Sequence, residues 1–139
     1  MKFPSIVTDV MNEIISIDGE SMVVDAAKTM IDKSIGSIIV TEAGTPVGII
    51  TRSDLIARVI VANKDPNRVP AKEIMSSPLI CLVKDISILD AMRYIRDQDI
   101  HQVLIKDNGS LIGIVSEGDL VSAVTLSSLT QFSTILRKK

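Results

Sequence analysis

The sequence predicts an α/β fold, α+β in its segregation. It consists of two repeats in the order strand-helix-strand-strand-helix, giving two small sheets covered by helices and related by a pseudo-twofold axis. Three observations carry this expectation. The stretch Gly48-Ile49-Ile50-Thr51-Arg52-Ser53-Asp54-Leu55-Ile56 recurs as Gly113-Ile114-Val115-Ser116-Glu117-Gly118-Asp119-Leu120-Val121. Short β-rich apolar runs are broken by glycine turns at matching places. Between them, apolar residues recur at helical spacing. A repeat of about 65 residues therefore governs the reading. It divides the chain into a first repeat at 1–62, a linker at 63–70, a second repeat at 71–126 and a helical tail at 127–139.

Taken in order, Val7, Val10 and Met11 suggest a short helical turn. Ile14-Ile15-Ser16-Ile17 is a strand candidate, Gly19 marks a turn, and Ser21 is suited to cap the next helix. That helix carries Val23, Ala26, Ala27, Met30 and Ile31 on one face and Asp25, Lys28 and Asp32 on the other. Gly36 and Ser37 break the pattern. Ser37 to Thr41 is β-rich, a hairpin-like connection follows at Glu42-Ala43-Gly44-Thr45, and Pro46 to Ile50 is the next strand. Leu55, Ile56, Val59 and Ile60 mark a second helix, which ends in the polar, two-proline stretch from Asn63 to Pro70.

The second repeat follows the same order. Ile74-Met75 echoes Val10-Met11, one residue short of the main offset. Leu79-Ile80-Cys81-Leu82 echoes the first strand, and Asp85 or Ser87 is placed to start the helix holding Ile88, Ala91, Met92 and Ile95. Gln102 to Lys106 is a strand, Asp107 to Ser110 a turn, and Leu111 to Val115 a strand. The last helix starts near Glu117 with Leu120, Val121 and Val124. Gly44 and Gly109 fall in register, where a turn needs a positive φ. In the tail, Leu129, Phe132 and Leu136 have rough helical spacing before Arg137-Lys138-Lys139. A helix packing on its own fold and a partner contact fit this equally well.

The chain has 139 residues, 46% of them hydrophobic and 2% aromatic, with mean hydropathy +0.36. Such a core must be built from Ile, Val, Leu, Ala and Met. One repeat alone would be marginal, so the two are expected to share a core, with further apolar surface buried against another copy or a partner. A net charge of −2 argues against nucleic acid as the main partner. No apolar run approaches the ~18 residues of a membrane span. The start shows no signal-peptide pattern and Cys81 has no internal partner, so a cytoplasmic protein is expected.

Thr51 and Asp54, like Ser116 and Asp119, have the spacing of a helix capping box. The same geometry suits a ligand: helix N–H groups take phosphate, the hydroxyl adds a donor, and the acid holds a ribose diol. Other candidates are weaker. Asp97, Asp99 and His101 lack the further ligands of a strong metal site and read as solvated charges. Cys81 reads as a buried inert thiol, and Met22, Met30, Met75 and Met92 as core filler. With one histidine, no catalytic triad or dyad is persuasive, and no glycine-rich phosphate loop is present.

The element order, the close repeat and the Gly-apolar-apolar-[Thr/Ser]-x-x-Asp-Leu signature, with the upstream Asp25-Ala26 and Asp90-Ala91 pairs, resemble a stand-alone pair of CBS domains, named after cystathionine β-synthase. The resemblance covers about residues 5–126. It implies two related clefts that bind adenosine-containing ligands such as AMP, ADP, ATP or S-adenosylmethionine. In each, the signature acid would sit on the ribose and the hydroxyl residue at the phosphate end, facing the early strands of the other repeat. The first cleft would use Thr51, Ser53 and Asp54 with Leu79, Ile80, His101 and Gln102. The second would use Ser116 and Asp119 with Ile14, Ile15, Ser37 and Ile38. His101 has a basic phosphate contact and an ordinary loop histidine as its two readings.

The clefts differ in charge. Arg52 in the first offers guanidinium donors to phosphate, whereas Glu117 stands at its place in the second and Gly36 at the place of His101. The phosphorylated ligand is therefore expected in the first cleft. The resemblance implies a regulatory module with no obligatory cofactor. An adenosine nucleotide would be its regulatory ligand, and it would form a homodimer and act on a regulated partner protein. The alternative is an unliganded structural or protein-interaction module that dimerises through its helices. A nucleotide-hydrolysing enzyme has little support from the residues.

Overall fold

The computed structural model describes residues 4–126. The tail at 127–139, for which a helix or a partner contact was expected, lies outside the described residues. The chain divides into two compact units, Ile14–Leu79 and a second made of Met1–Glu13 with Ile80 onward.

In the unit Ile14–Leu79, β1 (Ser16–Asp18) pairs parallel to β2 (Ser37–Glu42), and β2 pairs antiparallel to β3 (Thr45–Thr51). Helix α1 (Val23–Lys33) connects β1 to β2, and α2 (Arg52–Leu55) follows β3 and runs on as a π-helical stretch, Ile56–Ile60. A short α3 (Ala71–Ile74) closes the unit. The other unit repeats the design with β4 (Cys81–Val83), α4 (Ile88–Gln98), β5 (Gln102–Asp107) and β6 (Ser110–Ser116), in sheet order β4-β5-β6. A final helix, α5, runs from 117 to 126. A turn at Val7–Asp9 belongs to this unit.

The first strands form later than expected. Ile14-Ile15 and Leu79-Ile80 precede β1 and β4 rather than forming their starts. Ile15 and Ile80 still pair through their carbonyls, accepting from Ile39 N–H and Leu104 N–H at 2.9 Å each. The hairpin strand expected at Pro46–Ile50 extends one residue further at each end. Ser21 does not cap α1. Met22 holds the cap position without a side-chain bond, because Val69 and Pro66 carbonyls accept the Val23 and Val24 N–H groups at 2.8 and 2.9 Å. Two of the four orphan donors of the helix are thereby satisfied by the 63–70 stretch itself. In α4 the cap is Ser87, whose hydroxyl accepts from Asp90 N–H at 3.1 Å, so Asp85 is not used.

Each unit has its own apolar cluster, and each cluster takes in a segment from outside its own strand-helix-strand-strand-helix run. Val23, Ala26, Met30, Ile38, Val40 and Ile50 pack with Val69, Ala71 and Ile74 from beyond the linker. Ile88, Ala91, Ile95, Val103, Ile105 and Val115 pack with Val7 from the start of the chain. Val10 and Met11 add to this second cluster, and Met75 to the first. Ile31 stays out of the core, 79% exposed, although its spacing fits the apolar face of α1. Cys81 is only half-buried, because its strand is a sheet edge.

Both hairpins turn through two residues of positive φ: Ala43 (50°) with Gly44 (79°), and Asn108 (50°) with Gly109 (82°). This is the tight turn whose twist matches the flanking strands, and Asn-Gly is its favoured pair. An alanine there is strained by its Cβ. Ala43→Asn is therefore expected to stabilise the protein by about 0.5 kcal/mol, and Asn108→Ala to destabilise it similarly. Thermal unfolding of the two variants checks this, as shifts of a few degrees in opposite directions.

Candidate functional site

The signature stretch is the passage from β3 into α2. Thr51 is the last strand residue, and its extended backbone (φ −111°, ψ 170°) turns the chain into the helix. Its hydroxyl accepts from Asp54 N–H at 3.3 Å, and Asp54 Oδ2 accepts from Thr51 N–H at 2.9 Å and from Thr51 Oγ1 at 3.1 Å. The capping box expected from the spacing thus forms. It satisfies donors at both sides of the turn, a contribution of about 1 kcal/mol. Asp54 is the one buried charged residue among those described, 8% exposed.

The other carboxylate oxygen faces a segment from beyond the linker. Ser76 meets β3 in an isolated antiparallel bridge, donating its N–H to the Ile49 carbonyl at 2.8 Å and accepting from Ile49 N–H at 3.0 Å. Its hydroxyl donates to Asp54 Oδ1 at 3.2 Å. Arg58, one helical turn after Asp54, places Nε 3.8 Å from Oδ1. Its Nη1 donates to the carbonyls of Ile74 and Met75 at 3.0 Å each. These are carbonyls at the end of α3, where the helix itself supplies no donors. Gly48 of the signature is accounted for here. A Cβ would press on the Met75 thioether and come within 3.0 Å of the Ser76 carbonyl oxygen.

The other unit repeats this arrangement with the start of the chain. Asn12 pairs with Ile114 as Ser76 does with Ile49, at 2.8 and 3.0 Å, and Met11 lies on Gly113 as Met75 lies on Gly48. Ser116 and Asp119 form the second capping box at 2.9 and 3.1 Å, and Asn12 Nδ2 donates to Asp119 Oδ2 at 2.8 Å. Among the described residues no arginine pairs with this acid, and the place of Arg58 is taken by the buried Ala123.

Charge separates the two passages further. The Arg52 guanidinium lies over Gly36, with Nη1 3.2 Å from where a Cβ would stand. At the corresponding places in the other unit, His101 Nδ1 sits 3.0 Å from Glu117 Oε2, and Glu117 N–H donates to the His101 carbonyl at 2.9 Å. Both side chains are exposed. One exposed cation also has a shifted titration. Lys72 is held above its ordinary value by its hydrogen bond and ion pair with Glu20.

Of the residues expected at a site, Thr51, Arg52, Ser53, Asp54, Ile14, Ile15, Ser37, Ile38 and Leu79 fall in one unit. Ile80, His101, Gln102, Ser116 and Asp119 fall in the other. Within the first, Ser37 pairs with Thr51 and Ile38 with Ile50, and the Ile38 side chain belongs to the core. Within the second, Gln102 pairs with Ser116. Sequence reasoning missed Asn12, Ser76 and Arg58. The echo of Val10-Met11 in Ile74-Met75 held the signal for the first two, since Asn12 and Ser76 are the next residues. Among the described residues, no three His, Cys, Asp or Glu side chains gather closely enough to hold a metal ion. No helix among them is long and apolar enough to cross a membrane.

Comparison with known proteins agrees with this architecture. The family model of the CBS domain matches twice, at residues 7–61 and 71–126. An uncharacterized protein of Methanopyrus kandleri is 39% identical over 100 residues, 70% of this chain; the chain spans about half of that relative, 51% of its length. The CBS domain-containing protein YhcV of Bacillus subtilis is 30% identical over 84% of this chain and 83% of its own. The crystal structure of an uncharacterized conserved protein from Pyrococcus horikoshii superposes with a TM-score of 0.80 at 27% identity, covering 89% of this chain and 95% of that one. With its signature formed twice and each signature strand bridged in the same way, by Ser76 in one unit and Asn12 in the other, the chain belongs to the CBS domain family and carries two CBS domains.

Proposed function

We propose that the protein is a regulatory ligand-binding module that senses an adenosine-containing nucleotide or metabolite, AMP, ADP, ATP or an S-adenosylmethionine-like compound. It would pass that occupancy to a partner protein or to its own assembly. The observation that carries this reading is the placement of Asp54 and Asp119. Each is a carboxylate fixed by a capping box at the mouth of a strand-to-helix turn, where helix N–H groups favour an anion and the acid can accept from a ribose diol. In this reading the ligand-contacting residues are Thr51, Arg52, Ser53 and Asp54 with Ile14, Ile15, Ser37, Ile38 and Leu79 in one unit, and Ser116 and Asp119 with Ile80, His101 and Gln102 in the other. The ligand acts by population shift, stabilising whichever arrangement of the chain it binds better. It is regulatory rather than an obligatory cofactor, and we place the protein in the cytoplasm as a binding protein and not an enzyme.

The Arg52 site is the one suited to phosphate. Its guanidinium is exposed and lies over a glycine, whereas Glu117 is an acid already engaged with His101. The Glu117 amide is also spent on the His101 carbonyl, and Arg52 makes no corresponding bond among the described residues. A second reading, an unliganded module that forms a homodimer through its helices, is favoured by one observation. The helix after the first signature exposes Ile56, Ile60 and Val61, the last two by 72% and 76%.

Thermal unfolding against AMP, ADP, ATP, S-adenosylmethionine and NAD at millimolar concentration separates the readings. A ligand at 100 times its Kd adds about 2.7 kcal/mol, several degrees for a domain of this size. The sensor reading expects such a shift with one or two of these compounds, reduced in Asp54→Asn or Asp119→Asn. No shift with any of them leaves the assembly reading.

The charge assignment is tested by titration calorimetry with the phosphorylated ligand found. Arg52→Ala is expected to weaken binding about tenfold, the loss of one charge-assisted contact. Glu117→Ala is expected to leave it unchanged or strengthen it. Affinity unmoved by Arg52→Ala would refute the assignment.

A further inference from the structure

The two signature acids differ in what a ligand must displace. Asp54 Oδ2 is spent within the capping box, on Thr51 N–H and Oγ1. Only Oδ1 remains, and it is taken by the Ser76 hydroxyl at 3.2 Å, with Arg58 Nε at 3.8 Å. Arg58 completes the clasp by donating to the carbonyls of Ile74 and Met75. In the other unit, Asn12 and the Ser116 amide share Asp119 Oδ2 at 2.8 and 2.9 Å. Asp119 Oδ1 has no hydrogen bond among the described residues, and Ala123 stands where Arg58 would.

We propose that Arg58 is a positioning residue of the Asp54 site: with Ser76 it engages the carboxylate oxygen a ribose diol would take, so that binding there must loosen the carboxylate's hold on the segment 74–76. This rests on the reading of Asp54 as a ligand-holding acid. A carboxylate has about four lone-pair sites, and Asp54 already accepts from Thr51 N–H, Thr51 Oγ1 and the Ser76 hydroxyl, so the two donors of a diol do not both fit beside them. A diol hydroxyl donating to Oδ1 therefore competes with the Ser76 hydroxyl for direction and with the guanidinium for charge. Once Oδ1 is lost to the ligand, the segment keeps its backbone pairing with Ile49 but loses its side-chain anchor. The next residues, Ser77 to Leu79, lead the chain out of this unit. Asp119 offers a diol its free oxygen with nothing to displace. The Asp54 site is then the one at which occupancy changes the chain, and the Asp119 site is silent.

Two measurements test this on the whole chain with Arg58→Ala, Arg58→Lys and Ser76→Ala. The first uses no ligand. Amide hydrogen exchange at 74–76 is expected to rise about tenfold in Arg58→Ala, the loss of one charge-assisted anchor, while exchange at Asn12 does not move. Unchanged exchange at 74–76 overturns the clasp. The second compares the affinities of AMP and 2′-deoxy-AMP by titration calorimetry. Their ratio reads the diol alone, because the lost positive charge affects both phosphates equally. Discrimination in favour of AMP is expected to rise several-fold in Arg58→Ala and in Ser76→Ala. It should also rise in Arg58→Lys, which keeps the charge but not the fork, a change that a purely Coulombic role would not produce. AMP is expected to speed exchange at 74–76 in the wild type. A ratio that falls or stays fixed, or AMP binding that leaves 74–76 unchanged, overturns the coupling. If neither AMP nor 2′-deoxy-AMP binds the wild type or any variant, and no compound of the thermal-unfolding series shifts the wild type, the adenosine reading itself fails and the coupling with it, a result distinct from binding with an unmoved ratio.

Discussion

The rest of the structure depends on one pairing made twice: a single antiparallel bridge from a segment outside each sheet to its signature strand. Ser76 on Ile49 and Asn12 on Ile114 each exchange two backbone hydrogen bonds. At Ile49 and Ile114 they satisfy N–H and C=O groups that an outer strand would otherwise present to another chain. The pairing also explains residues that otherwise lack a reason. Gly48 and Gly113 leave room for the methionine preceding each added residue. The hydroxyl of Ser76 and the amide of Asn12 are brought to the two signature acids by the same register. The carboxylate is thus held from two sides, by the turn it caps and by the segment that passes it.

On this common frame the two units carry different chemistry, and each difference is locally consistent. Where one unit sets Arg52 over a glycine, the other sets Glu117 against His101, so that the side chain removed from one partner reappears in the other. Where one unit has Arg58 holding two helix-end carbonyls, the other has an alanine folded into its core. Exposed ion pairs of this kind add little to stability. Their weight falls on what can approach each turn. A repeat retains its fold through the buried apolar pattern and is free to change the exposed positions around its acid.

Much of this was legible in the residues. The repeat, the order of elements, the glycine turns and the capping boxes each follow from local chemistry visible in a short window: period, turn residues, and a hydroxyl three positions before an acid. What was not legible depends on distant segments. Ser21 looked like a cap because the sequence does not show that Pro66 and Val69 would supply carbonyls to α1. Ile14-Ile15 and Leu79-Ile80 looked like strands because their apolar content does not reveal where pairing begins. Arg58 drew no reading from the sequence, because its partners lie sixteen and seventeen residues away across a proline-containing stretch. The equivalence of Asn12 and Ser76 was within reach, hidden by the one-residue change of offset between the repeats.

The exchange of segments also bears on how such a chain can be inherited. Each copy's leading segment bridges the other copy's signature strand, so the boundary of the sequence repeat is not the boundary of the folded body. Losing either copy by deletion at the repeat junctions would leave the survivor with an unbridged signature strand and an acid without its partner. In this form each half depends on a segment of the other to complete the surroundings of its signature strand.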